Sequence, residues 1–387
     1  MKIVVNRYQL YNCLQKIQSI LEKSSSLNNS ENILLKTVDN QLQIVAFDQN
    51  CSARGTISAE IITAGTISLN GKRIYDIIKS LKDEKISMYQ DSDTSLITIT
   101  DSKSSFNILS ADIEEFPEIS FALPEKSLTI ASKNLTQLID LTIFSIAKIS
   151  DPRYNLQGVF LEIEPVNGLV SDDFSQTEKE IASGSHLFSL ISTNGHRVSV
   201  ARTEQISGSI NIGSKKIFSR KSLHEIKSIF SENENLNMGF EKSEVIIWGA
   251  DFIISLRMLQ GDFPDYRKMI PDTFLYHLEV EKESLLNTLR QMNLLAEDNY
   301  KGVLFDFKEA CLEVSFDNPE RGHGTTSLSI DYNGEPFQII FNINYLLDFL
   351  QAVPDEKIIL EINNKNQPCL IKGLENQNYM CGIMPIS

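Results

Sequence analysis

Apolar positions along this 387-residue chain recur three times in one compound pattern. A short strand-like run passes through polar residues into an amphipathic helical stretch. The copies are IVVNRYQLYNCLQKI from Ile3, LTIASKNLTQLIDLT from Leu128 and LEVEKESLLNTLRQM from Leu278. Superposed without gaps, they put Leu10, Leu135 and Leu285 at one position and Leu14, Ile139 and Leu289 four residues on. The starts lie 125 and 150 residues apart, and self-similarity on that scale means repeated structural units.

Each unit carries a second strand-then-helix signal: ISLNGKRIYDIIKSL from Ile67, INIGSKKIFSRKSLHEIKSIF from Ile210 and IIFNINYLLDFLQAV from Ile339. Ile74, Ile77, Ile78 and Leu81 follow the spacing of a helix with one buried face. Around the helices lie alternating β-rich runs such as 87–100 and 244–259. The pattern predicts an α+β fold of three topologically similar units, each with two helices and antiparallel sheets. Phe-Pro-acid marks the exits of the first two units, in EEFPEIS (114–120) and GDFPDYRKMIP (261–271). The expected boundaries are 1–123, 124–272 and 273–387. The middle unit is lengthened by a polar stretch at 164–186 that reads as an extended hairpin loop.

Composition narrows the class. Hydrophobic residues make up 42% and charged residues 22%, values of an ordinary globular chain. No apolar run approaches the roughly 20 residues that span a bilayer, and the N-terminus has no signal-peptide pattern, so a cytoplasmic location is expected. Five scattered cysteines (Cys13, Cys51, Cys311, Cys369, Cys381) form no C-x-x-C pair and read as reduced, mostly buried thiols. The net charge of −15 argues against nucleic acid when taken alone. Global charge averages over faces, however, and an acidic shell can enclose a basic inner surface.

Catalytic signals are missing. GTISLNGK (65–72) has five residues between its glycines where a phosphate loop needs four, and no Ser or Thr follows. It reads as a strand running into a helix cap. The histidines at 186, 196, 224, 277 and 323 have no metal-ligand spacing, so no metal, cofactor or enzymatic activity is expected.

Several segments, in this order and within a threefold repeat, resemble the bacterial sliding clamp family, the β subunit of DNA polymerase III. They are DPRYNLQGVFLEI (151–163), STNGHRVSVA (192–201), GDFPDYRKMIP, FDNPE (316–320) and the terminal IMPIS. The resemblance spans essentially the whole chain. It implies a head-to-tail homodimeric ring of six units that encircles double-stranded DNA without reading its sequence. Such a ring tethers the replicative polymerase catalytic subunit, the clamp loader, and other polymerases and repair proteins through a short clamp-binding peptide. No membrane partner is implied.

Carried over segment by segment, the peptide groove would be lined by Arg153, Tyr154, Leu156, Thr193, Gly195, His196, Arg197 and Val198. Pro264, Lys268, Met269, Pro368 and the tail residues Ile383, Met384, Pro385 and Ile386 would complete it, with Arg and His at the rim bonding peptide backbone. The DNA-facing set would be Lys23, Lys72, Lys79, Lys148, Arg153, Lys215, Lys216 and Lys221. Lys72 and Lys79 share one helix face, opposite Ile74, Ile78 and Leu81. At the ring seam the first unit would supply Arg73, Phe106 and Ile108, and the third Leu294 and Leu295. Family tails commonly run past Met-Pro, whereas this chain stops at Ser387. The residues alone leave open a second class, a repeat-built scaffold that binds peptides but never DNA, which net acidity favours. An enzyme with an unrecognised site is the third reading.

Overall fold

The computed structural model describes residues 1–21, 30–90, 95–165, 179–181, 186–208, 210–212, 216–230, 234–241, 243–297, 301–376 and 378–386. Among them, one element order recurs three times: a strand, a helix, a run of strands, a second helix, and three closing strands. The first helices are α1 (Arg7–Ile17), α3 (Ser132–Asp140) and α5 (Lys282–Met292); the second are α2 (Gly71–Ser80), α4 (Arg220–Ile229) and α6 (Ile343–Ala352). The three leucines aligned by the repeat are buried, as are Leu14, Ile139 and Leu289 one turn later. Each first helix therefore docks the same stripe on its sheet.

The second helices start alike. Asn70, Ser219 and Asn342 stand just before them, and their side chains accept hydrogen bonds from the amides of Arg73, Ser222 and Asn344. The phosphate-loop look-alike resolves accordingly: Thr66–Asn70 is a strand and Asn70 caps α2. Of the stretch 164–186, residues 179–181 form a strand paired with Ile210–Ile212, so this part is more than a loop.

Sheets run across the units. The last strand of the middle unit, Phe252–Arg257, pairs antiparallel with Cys51–Thr63 of the first, and Ile254 faces Ala53. The last strand of the third, Tyr379–Ile383, pairs with Arg197–Thr203 of the middle, and Cys381 faces Ser199. The chain past these strands is held identically. Leu259 donates its amide to Ile217 O (2.9 Å), Ile386 to Ile340 O (2.8 Å), and in the first unit Ala111 to Ser68 O (2.8 Å). One continuous apolar core runs under all six helices. Cys13, Cys51, Cys369 and Cys381 are buried free thiols and Cys311 is half-buried. No described helix is long and apolar enough to cross a membrane.

Candidate functional site

The hairpin joining His186–Thr193 to Arg197–Thr203 sits at the middle–third junction, because its second strand also pairs with the third unit. Asn194 shapes the turn: its side-chain carbonyl accepts from the His196 amide (3.0 Å) and the Arg197 amide (3.1 Å). Thr193 Oγ1 donates to Arg197 O (2.6 Å) and accepts from Gly195 N (3.0 Å). Gly195 has φ +87°, and a Cβ there would stand 2.9 Å from Arg153 Nη1, so conformation and space both demand glycine.

Arg153 reaches this turn by donating to Asn194 O (3.2 Å) and is itself fixed by Asp151 (2.9 and 2.7 Å). Those hydrogen bonds hold the Asp151 carboxyl down at about 2. Met269 touches Thr193 through its sulfur (4.0 Å), and the tail closes over the turn as Met384 N donates to His196 O (2.8 Å). Beneath lies a compact cluster of Ile191, Val198, Val200 and Tyr266, flanked by Phe263, Met269 and Met380. The structure thus gathers Arg153, Thr193, Gly195, His196, Val198, Met269 and Met384 at one place. Tyr154 projects beside them, 73% exposed. Leu156 is buried, Pro264 and Lys268 are exposed on the linker, and Pro385 is half-buried with Ile386 exposed. Pro368 precedes Cys369, which pairs with Ile383.

Two groove assignments need correction. Ile383 is fully buried between Arg197 and Cys369, so it offers no surface to a peptide. Arg197 is not a rim cation. Its buried guanidinium binds Asp348 (2.7 Å) and the Phe144 carbonyl, lying 4.3 Å from the Tyr345 ring and 5.0 Å from the Phe144 ring. It pins the hairpin to α6. Tyr345 and Asp348, three residues apart on α6, were missed by sequence reasoning; their helical spacing is visible but Arg197 as its target is not. Asn194 was legible only as half of a turn dipeptide.

The proposed DNA-facing residues divide. Lys72 and Lys79 are exposed on α2, and Lys148 is exposed too. Lys216 does not belong with them: it is 8% exposed, with its ammonium 5.3 Å from the Phe240 ring centre. Lys221 is half-buried and paired with the buried Asp48 of the first unit. Lys23 and Lys215 lie outside the described residues. A pattern the sequence reading missed is the charge on the helices. The six helices hold eleven Lys and Arg against five Asp and Glu, a net +6. The rest of the chain then carries 25 against 46, a net −21.

At the outer edges, Phe106 and Ile108 are half-buried on Ser105–Leu109, the terminal strand of its sheet. Beside them is a hollow of about 450 Å³ lined by Arg73, Asp76, Ile77 and Phe106, among others. In the third unit Leu294 is 76% exposed. Leu295 lies under the edge strand Gly322–Ser329, its Cδ1 3.2 Å from where a Cβ on Gly324 would be. Among the described residues no cluster of three or more His, Cys, Asp or Glu could hold a metal ion.

Known proteins resemble this chain along its whole length. Residues 1–120 match the N-terminal domain of the DNA polymerase III beta subunit, 179–265 its central domain and 267–387 its C-terminal domain. The chain is 25% identical over 386 residues to the beta sliding clamp of Chlamydia trachomatis, covering 100% of this chain and 87% of that one. It is 26% identical over 392 residues to the Vibrio cholerae beta sliding clamp, with both chains fully covered. The DNA polymerase III subunit beta of Pseudomonas aeruginosa has a similar fold, with TM-score 0.88, 22% identity and full coverage of both chains. A Bartonella birtlesii sliding clamp solved with bound griselimycin gives TM-score 0.87 at 22% identity, covering 100% of this chain and 99% of that one.

Proposed function

The chain belongs to the bacterial sliding clamp family, the β subunits of DNA polymerase III, and on that premise we propose that it is a non-enzymatic DNA polymerase processivity factor. Two copies close head to tail into a ring around duplex DNA. Its units are 1–123, 124–272 and 273–387, and it works in the cytoplasm. The replicative polymerase, the clamp loader, and other polymerases and repair proteins dock a short peptide at the Thr193, Val198 and Met384 surface. Each well-buried apolar anchor contributes about 1.5–3 kcal/mol before ordering costs, so two anchors supply about 3–6 kcal/mol, and micromolar binding at about 8 kcal/mol needs peptide-backbone hydrogen bonds as well.

The observation that carries ring closure is the repeat of the junctions. In both junctions within the chain, a unit's closing strand adds to the preceding unit's sheet. The same series leaves Gly322–Ser329 of the third unit and Ser105–Leu109 of the first as edges. Exposed edges of this kind invite pairing with another chain. Aligning the strand registers makes Phe106 equivalent to Ile254 and Cys381, and Gly324 equivalent to Ala53 and Ser199. Phe106 of one protomer then faces Gly324 of its partner, above Leu295 and Met292. A missing side chain on one strand receives a large one from the other.

The helix charge of +6 answers the objection from net acidity. A basic inner face can hold phosphate while the acidic exterior repels it elsewhere, giving weak, salt-dependent and sequence-independent contact. Topological capture separates the ring from the peptide-scaffold alternative. After loading, the protein should stay on nicked circular DNA and slide off once that DNA is cut; retention on linear DNA, or none on circles, refutes the ring.

A further inference from the structure

The Asp48 turn in the first unit repeats three bonds of the Asn194 turn in the middle one. Asp48 Oδ1 accepts from the Asn50 and Cys51 amides at 2.7 Å each, as Asn194 Oδ1 does from His196 and Arg197. Arg257 N donates to Asn50 O at 2.8 Å, as Met384 N does to His196 O. The strand registers then equate Val45 with Ile191, Phe47 with Thr193, Ser52 with Val198 and Arg54 with Val200. The exits match as well: Phe116 with Phe263, and Phe121 with Lys268. The first–middle junction therefore has the framework of the peptide groove.

Its own side chains fill that framework. Phe47 and Phe116 are buried against each other edge to face, ring centres 4.9 Å apart, with Val45 beside them. Leu34, Ile119 and Phe121 pack on this cluster, and the Arg54 guanidinium lies 5.1 Å from the Phe121 ring centre. At the middle–third junction the place of Phe47 is held by Thr193, a far smaller side chain whose hydroxyl turns back into its own hairpin. There Phe263 stacks instead on Phe160, 5.0 Å away and nearly parallel. For an apolar anchor to enter the first–middle junction, Phe47 and Phe116 must separate and expose both rings to water.

We propose that the first–middle junction is a second copy of the peptide groove closed from within, and that Phe47 confines a partner peptide to one site per chain. This rests on the groove reading above and goes beyond it, since it assigns selectivity between two junctions of one framework to a single side chain. Phe121 and Arg54 complete the closure.

The test grafts the open junction's residues onto the closed one, in Phe47→Thr/Ser52→Val/Arg54→Val. Calorimetric titration of the full-length dimer with a peptide carrying a Leu and a Phe anchor should rise from one site per chain to two. A photoreactive group on the peptide should then attach near residues 45–54 as well as 193–198. Phe47→Thr alone serves if the triple variant fails to fold, and it too should give attachment near 45–54. A folded dimer of either variant that binds one peptide and cross-links only near 193–198 overturns the proposal. If the unmodified protein binds no peptide at 193–198, the groove reading fails instead.

Discussion

Truncating Phe106 tests the seam at its centre. Within one chain the ring is half-buried, packed on the first unit's core next to Ile99. The seam therefore adds only the remaining half of its surface. A phenylalanine buries about 150–250 Å², so half is roughly 100 Å², or about 2.5 kcal/mol per seam at about 25 cal/mol per Å². Dissociation of a closed dimer opens two equivalent seams, which doubles the effect to about 5 kcal/mol. At about 1.4 kcal/mol per decade, Phe106→Ala should weaken the dimer by roughly 10³- to 10⁴-fold. Mass measurement by light scattering or sedimentation across a dilution series reads this directly. The unfolding temperature should move much less, since the core half of the contact is a smaller part of each protomer's stability. A variant that dissociates at the same concentration as the parent would refute both the edge pairing and the Phe106–Gly324 register.

The same register places Asn107 opposite the partner's His323 on the outer face, so Asn107→Cys/His323→Cys should oxidise to a covalently closed dimer. Directly opposed strand residues lie within disulfide reach, and moving the second cysteine to position 325 should abolish the cross-link on a denaturing gel. Ending the chain after Ile383 removes the bonds from Met384 to His196 and from Ile386 to Ile340. It should lower peptide affinity at least about tenfold by calorimetry, while Ile383 keeps the junction and the dimer intact. Asp348→Ala leaves the buried Arg197 guanidinium short of a partner; because Asp348 is 39% exposed, a loss of about 1–3 kcal/mol in denaturant unfolding is expected. Burial raises the Glu225 carboxyl, with Asp48 adding to the shift and Ser19 and Lys221 opposing it. The folded chain thus holds a proton the unfolded chain has lost, so stability falls as pH climbs from the ordinary carboxylate range to the raised value. Glu225→Gln should match the parent at acidic pH and melt higher at neutral pH; equal melting at both would show that the carboxylate carries no burial cost.

Sequence pattern and structure agree where local periodicity decides the outcome. The six helices begin where the repeat puts them, because Leu10, Leu135 and Leu285 fix the buried stripe and Asn70, Ser219 and Asn342 fix the caps. Agreement fails where a side chain's partner lies outside its own element. Arg197 reads as a surface cation in a turn, yet Asp348 and Tyr345, some 150 residues on, draw it inward. Lys216 reads as one of a basic pair before a helix, yet it is buried with its ammonium over the Phe240 ring. Ile383 reads as the first of the tail residues lining a groove, but it closes a strand paired on both sides. Periodicity reports which face is buried, and it carries nothing about which distant residue does the burying.

The repeat turns one local device to three ends. Asp48, Asn194 and Asn318 occupy the same turn position, and each accepts an amide from two residues ahead. At Asp48 the turn is followed by a strand bearing Arg54, and Phe47 before it fills the junction. At Asn194 the small Thr193 and the left-handed Gly195 keep the turn tight, and Arg197 pins it to α6. At Asn318 the turn is one residue longer, and the side-chain amide donates to Leu295 O (2.7 Å). That bond fixes the segment in which Leu294 is exposed and Leu295 lies beneath Gly324, the surface proposed for the seam. Replacing Asn318 with Asp would keep the turn acceptor and lose the donor to Leu295. Because Asn318 is fully buried, the new carboxylate also costs protomer stability, and the dimer should weaken by more than that loss alone. Equal loss of both would mean Asn318 serves the fold alone.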